Sequence, residues 1–205
     1  MKKEWKSFWA VLVVFTGLMG CGGTAPTRFY TLTSIEPPGI EGRQTPPDKT
    51  VCLAVSMIEI PDYLDRPYIM TRDGHNGMDY SEFDRWAGSL REDVVRVLAE
   101  NLSARLENVT VLTDKRAHPV DYRMRVNIRR LDPIQDERVQ LRAIWSVLSK
   151  DGKELLIRQE SNLSQPIEGR GYPAVVSAMS HVLGALSDEM TARLRTVVNS
   201  GAGSK

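Results

Sequence analysis

Cysteine is nearly absent: the 205 residues hold two, Cys21 and Cys52. No Cys-x-x-Cys pair exists, so a thiol redox motif and a cysteine-based zinc site of that kind are excluded. Histidine is scarce as well. His75, His118 and His181 lie far apart, none with a second histidine or a cysteine at metal-ligand spacing. The chain has no HExxH, no GxSxG and no phosphate-binding Gly-rich loop before a Lys, so no enzyme class is indicated and no cofactor is expected. Gly169-Arg170-Gly171-Tyr172-Pro173-Ala174 fits GxGxxA. A dinucleotide site needs a strand after its helix and an acidic residue on a second strand, and this segment opens the last helix of the chain. It reads as a loop leading into a helix.

Charge of one sign is lacking too. The whole chain carries a formal +1. Loss of residues 1–20 would remove Lys2, Lys3, Lys6 and Glu4, leaving 24 basic and 25 acidic side chains from 27 and 26. So even a balance gives no global drive toward nucleic acid or acidic lipid. No internal repeat or low-complexity tract occurs, and the length suits one domain with a core of its own.

The N-terminus is the most informative segment. Met1 to Lys6 is basic, and the apolar run Phe8–Phe15 leads to Leu18-Met19-Gly20-Cys21. Basic start, apolar centre and small residues at a cleavage site describe an export signal. The run falls short of the ~20 residues a helix needs to cross a bilayer, so a transmembrane anchor is the weaker reading. Leu18-Met19-Gly20-Cys21 resembles the bacterial lipobox, in which the thiol receives diacylglycerol; the competing reading is an ordinary signal with a chance cysteine. Acylation would consume Cys21 and leave Cys52, in an apolar run, as an unpaired small core residue. Two or more acyl chains anchor stably, at about 0.8 kcal/mol per buried methylene. The expected organisation is a signal peptide over 1–20, a lipidated tether over 21–27, one domain over 28–198 and a flexible tail over 199–205. Gly22, not Asp, follows Cys21, which favours the periplasmic face of the outer membrane over retention at the inner one.

Periodicity predicts the domain. Arg28–Thr33 reads as a short aromatic, β-branched strand, Ser34–Thr50 as a Pro/Gly-rich loop, and Val51–Ile60 as a buried strand stopped by Pro61. Asp73-Gly74-His75-Asn76-Gly77 marks a hairpin loop. Ser81 is the expected N-cap of a long amphipathic helix over about Glu82–Glu107, with Glu82 and Asp84 in its first turn and Phe83, Trp86, Leu90, Val94, Val97, Leu98 and Leu102 on one face. Val109–Leu112, a strand alternating around Tyr122, Met124, Val126 and Ile128, a second over Val139–Val147, and a third over Glu154–Ser164 follow. A last helix from about Pro173 presents Ala178, Val182, Leu186, Met190, Leu194 and Val197. The fold class is therefore α+β: a single mixed, mostly antiparallel sheet with two long helices packed on one face.

Two features fit a partner. Arg123, Arg125, Arg129, Arg138 and Arg142 should project from the sheet face away from the helices, where they would meet an acidic partner or anionic head groups, or simply be solvated. The loop Pro61-Asp62-Tyr63-Leu64-Asp65-Arg66-Pro67 has two prolines to stiffen it and aromatic, aliphatic and charged residues to offer.

With the lipobox, the strand Phe29-Tyr30-Thr31-Leu32, this loop leading to Thr71-Arg72, and Arg85-Trp86-Ala87 before Leu90, the chain resembles the PqiC-like ABC-transport auxiliary lipoproteins over Cys21 to about Leu106. Gly88-Ser89 stands where that family usually has Glu-Pro. The resemblance implies a non-enzymatic periplasmic accessory of an intermembrane lipid-transport system. Its partners would be an MCE-domain conduit protein and an integral membrane or ABC-type component, and because conduits of this kind are rings the resemblance also implies a homo-oligomer. The expected contact residues are Asp62, Tyr63, Leu64, Asp65, Arg66 and Arg72, with Arg123, Arg125 and Arg142 of the sheet. A lipoprotein that itself carries a lipid in a cavity between helices and sheet is the alternative.

Overall fold

The computed structural model describes residues 26–35, 51–74, 76–113, 119–134 and 137–202. The export signal, Cys21 and most of its tether, and most of the Pro/Gly-rich loop lie outside them. Among these residues eight strands and two helices follow in the order β1 Arg28–Tyr30, β2 Val51–Glu59, β3 Tyr68–Asp73, β4 Gly77–Trp86, α1 Leu90–Arg105, β5 Val109–Leu112, β6 Tyr122–Ile134, β7 Arg138–Ser149, β8 Leu155–Pro166 and α2 Gly171–Ala202. This is the α+β fold the periodicity predicts, with one open mixed sheet.

β6 organises the sheet. β7 pairs antiparallel along its full length and β8 pairs antiparallel with β7. The other edge of β6 is shared: β2 runs parallel to its first half, and β3 meets it at the single pair Arg72↔Ile134. β5 then adds to β2, β4 to β3 as a hairpin, and β1 in parallel to β4. The longest ladders are antiparallel. β8 and β1 form opposite ends of the sheet.

Alternation along β6 and β7 sends Met124, Val126, Ile128, Ala143, Trp145 and Val147 to one face, all buried. Val94, Val97, Leu98 and Leu102 of α1 and Leu183, Leu186 and Met190 of α2 close over that face with no more than 1% exposure. Burying each large aliphatic side chain contributes about 1.5–3 kcal/mol. Trp145 Nε1 donates to Ser161 Oγ (3.0 Å), and Ser161 Oγ donates to Glu189 Oε2 (2.5 Å), joining β7, β8 and α2. In the segment ahead of α2, Gly169 and Gly171 take φ of +110° and +73°, a conformation only glycine adopts without strain. The GxGxxA match is thus a turn into a helix. α2 continues to Ala202, past Asn199 where a tail was expected to begin.

The start of the first helix differs from expectation. Ser81, Glu82, Phe83 and Asp84 belong to β4, and α1 begins only at Leu90. Steps of three and four through Phe83, Trp86 and Leu90 fit a helix, but pairing of Asp84, Arg85 and Trp86 with Arg28, Phe29 and Tyr30 of β1 overrides that local pattern. Ser81 does bond like a cap, accepting from the amides of Phe83 (3.2 Å) and Asp84 (3.0 Å). What it shapes is a bulge: from Met70↔Tyr80 to Tyr68↔Arg85, β4 advances five residues while β3 retreats two. The actual N-cap is Ser89, whose Oγ accepts from the amide of Glu92 at 3.4 Å.

β1 is also shorter than expected. Beyond Tyr30 the chain leaves the sheet and lies across the helices. Asp93 Oδ2 accepts from Leu32 N (3.2 Å), the Arg96 guanidinium donates to Leu32 O (2.7 Å), and Asn101 Oδ1 accepts from Ile35 N (2.8 Å). Side chains thus satisfy the backbone groups a ladder would have used. Leu32 is fully buried there. Cys52 is half-buried and unpaired among the described residues.

Candidate docking surface

Side chains of β6, β7 and β8 that alternate away from the helices form a second face. Arg125 pairs across with Ser146 and Ser146 with Arg158; Asn127 pairs with Ile144 and Ile144 with Glu160. Arg125, Ser146, Arg158, Asn127 and Ile144 of these rows, with Glu59 of β2 and Arg129, line a groove of about 420 Å³ floored by Ile144, Leu148 and Leu155. Arg125, Arg129 and Arg158 are exposed. Among the described residues none of the three makes an ion pair or side-chain hydrogen bond, whereas Glu59 accepts from Asn127. The groove is therefore a cationic rim over an apolar floor, suited to a carboxylate or phosphate attached to something less polar.

The expected arginine face exists, but its members differ in availability. Arg123 donates to Lys150 O (2.8 Å) and Arg142 to Glu160 (2.5 Å), while Arg138 lies 3.6 Å from Glu137. The sheet register also shifts between Ile128 and Arg130, so Arg130, not Arg129, faces Arg142 across the ladder. That bulge leaves Arg129 at the groove. Arg158 was not anticipated, since its direction depends on the β7–β8 register.

Asp132 lies on the same outward-facing alternation as Arg130, yet it is completely buried. Tyr63 covers it from the β2–β3 loop, its hydroxyl donating to Oδ1 at 2.6 Å. Arg72 of β3 donates to Oδ2 through Nε (2.9 Å) and a terminal nitrogen (2.6 Å), and Arg130 lies 3.4 Å away. Burial, reinforced by the hydrogen bond to Asp132, raises the pKa of the Tyr63 hydroxyl well above the usual phenol range. The hydroxyl therefore stays protonated as a donor.

The loop is held elsewhere too. Leu64 N donates to Pro61 O (3.0 Å), Leu64 is 2% exposed within the core, Asp65 pairs with Arg91 (2.7 Å), and Trp86 N donates to Pro67 O (2.9 Å). The expected contact residues thus divide. Leu64 has no surface to offer, and Tyr63 and Arg72 are engaged by Asp132. Asp62 and Arg66 are exposed, and no hydrogen bond or ion pair from their side chains exists among the described residues. These contacts tie the loop to the domain, and it presents one acid and one base.

A third polar cluster secures the first strand. Asp84, 3% exposed, receives Arg28 (2.8 Å), the Tyr30 hydroxyl (2.8 Å) and the Ser81 hydroxyl (2.7 Å). Burial alone would raise its pKa, but the hydrogen bonds from Arg28, Ser81 and Tyr30 outweigh that and hold the carboxyl below the usual range.

Fold and surface together define the class: a single-sheet α+β module with both helices on one face and a cation-rimmed groove on the other. Solved structures show the same fold. One uncharacterised protein aligns with 83% of this chain and 99% of its own at a TM-score of 0.69 and 16% identity. A Xanthomonas campestris protein from a domain family of unknown function (DUF330) aligns with 87% of this chain and all of its own, at a TM-score of 0.63 and 13% identity. Among curated proteins none matches. The sequence does match the model of the ABC-type transport auxiliary lipoprotein component over residues 30–191, and the chain belongs to that family. It is a lipoprotein family of a transport system, not a known enzyme family. Membership implies a membrane-associated periplasmic location, and no helix among the described residues is long and apolar enough to cross a membrane.

Proposed function

We propose that this chain is an accessory lipoprotein of an MCE/ABC-type intermembrane lipid-transport system, anchored through Cys21 on the periplasmic face of the outer membrane, and that it docks the transport conduit by protein contacts. Family membership supports the transport role, and Gly22 after the lipidated cysteine favours the outer membrane. The observation that carries the docking step is the groove in which Arg125, Arg129 and Arg158 have no partner among the described residues. Three such guanidinium groups above an apolar floor suit an acidic segment of the conduit with an apolar anchor residue. Asp62 and Arg66, on a loop fixed by Leu64, Tyr63 and Pro67, supply a second contact at little entropic cost.

Direct carriage of a lipid between helices and sheet finds no support in the packing. Trp86, Leu90, Leu186 and Met190 fill that interface at 4% exposure or less, and the groove lies on the opposite face.

The test is affinity purification of the full-length acylated chain from solubilised envelopes. An MCE-domain protein should co-purify, and its gene should neighbour that of this chain. Recovery of the acylated chain with no transporter component would refute the proposal. Cys21→Ser should abolish acylation and membrane attachment; a Cys21→Ser chain still acylated would refute the anchor.

A further inference from the structure

The sheet end farthest from the groove carries a different surface. Tyr68, Arg85 and Phe29 occupy one row across β3, β4 and β1, and Tyr80 pairs with Met70 on the same side. Tyr68 and Tyr80 pack with ring centroids 5.0 Å apart and planes tilted by 52°, and the Arg85 guanidinium sits 4.9 Å from the Tyr68 ring centre. Phe83, two residues before Arg85 on the same strand, stands in the bulge between Tyr80 and Arg85. Phe29 is 64% exposed, Tyr80 48% and Phe83 37%. A cluster of exposed aromatic rings on one edge of a domain marks a surface that meets something else.

The position of the anchor identifies what meets it. Arg28 stands seven positions after Cys21, and that length of chain spans at most about 25 Å when fully extended. Phe29 therefore stays within about 30 Å of the plane in which the acyl chains insert. β1 is clamped to Asp84 by both Arg28 and Tyr30, so the tether joins the domain at this patch. Tyr, Phe and Arg are the residues that sit well at the bilayer–water interface, the rings among glycerol and upper acyl groups and the guanidinium among phosphates. From this we propose that Phe29, Tyr68, Tyr80, Phe83 and Arg85 form a membrane-contact patch that lays the β1 end of the sheet on the phospholipid surface. The proposal rests on the Cys21 anchor. Sheet twist of about 20–25° per strand turns the β7–β8 end away from this plane, which leaves the groove free for a periplasmic partner.

Fluorescence of the full-length acylated protein in vesicles of phosphatidylethanolamine and phosphatidylglycerol, with part of the lipid brominated in its acyl chains, tests this. After signal removal the only other tryptophans are Trp86 and Trp145, both buried in the core, so their emission is a constant that the parent chain supplies for subtraction and that brominated lipid does not reach. Phe29→Trp, and independently Phe83→Trp, should emit at shorter wavelength and be quenched by brominated lipid, while Leu155→Trp at the far end should not. Water-exposed, unquenched emission from both variants in a chain that is acylated and floats with the vesicles would overturn the patch and leave the anchor standing. A chain that is neither acylated nor vesicle-bound would overturn the anchor and the patch with it. A blue shift that needs no lipid and grows with protein concentration would assign the patch to a second copy of the chain. Equal quenching at Leu155→Trp would replace the patch by adsorption of the whole face. Either result would overturn the proposal.

Discussion

Asp132→Asn is expected to be the most damaging isosteric change in the protein. The carboxylate is wholly buried, while the Arg72 side chain that pairs with it is 19% exposed. Asparagine keeps the shape and can still accept from Tyr63, but it leaves Arg72 opposite a neutral amide. Breaking one side of a buried ion pair costs about 3–5 kcal/mol, and the water that reaches Arg72 places this case near the lower bound. Tyr63→Phe removes a single hydrogen bond to the same carboxylate, and such bonds to charged groups contribute about 1.5–3 kcal/mol. Asp132→Asn should therefore cost more than Tyr63→Phe, and about 3 kcal/mol is a large share of the 5–15 kcal/mol typical of a domain. Urea unfolding followed through Trp86 and Trp145 should show lower midpoints with unchanged slope for both variants. A loss below about 1 kcal/mol for Asp132→Asn, or a larger loss for Tyr63→Phe, would refute this account of how the loop is held.

Three further outcomes are expected. Asp84 has a folded pKa below its unfolded value, so its stabilisation is fully present above the unfolded carboxylate pKa and is lost as pH falls through the folded one; chemical unfolding should show acid sensitivity below about pH 4 that Asp84→Asn diminishes. Ser89→Ala should cost about 0.5–1 kcal/mol in thermal or urea unfolding, at the low end for an N-cap because the bond to Glu92 is long; a negligible loss there would refute the helix start at Leu90. Asp62→Ala with Arg66→Ala should leave stability within about 0.5 kcal/mol by urea titration but weaken co-purification of the conduit protein, and unchanged recovery would remove the loop from the docking surface.

Much of the architecture was legible because it is local. Steps of four through Ala178, Val182, Leu186, Met190 and Leu194 announced α2, and Asp73-Gly74 with Asn76-Gly77 announced the β3–β4 hairpin. The misplaced start of α1 arose from a strand partner more than fifty residues earlier in the chain, which periodicity within a window does not register. One missed signal was present: the apolar positions of β6 change parity between Ile128 and Leu131, as a bulge requires, and that shift decides which arginine reaches the groove. The sealing of Asp132 was not legible, since Tyr63 and Asp132 stand 69 positions apart. A loop whose composition suited partner contacts therefore proved to spend Tyr63 and Leu64 on its own fold.

The central claim is that an acidic element of the conduit docks in the arginine groove. It is tested most directly by the affinity of the full-length acylated chain for the MCE-domain protein of the same genome, measured at low and high salt beside Arg125→Glu/Arg129→Glu/Arg158→Glu. The account predicts binding that weakens as salt screens the contact, and a loss of at least about tenfold on charge reversal with folding intact. Equal affinity for parent and variant, or no binding by the parent at low salt, would contradict it.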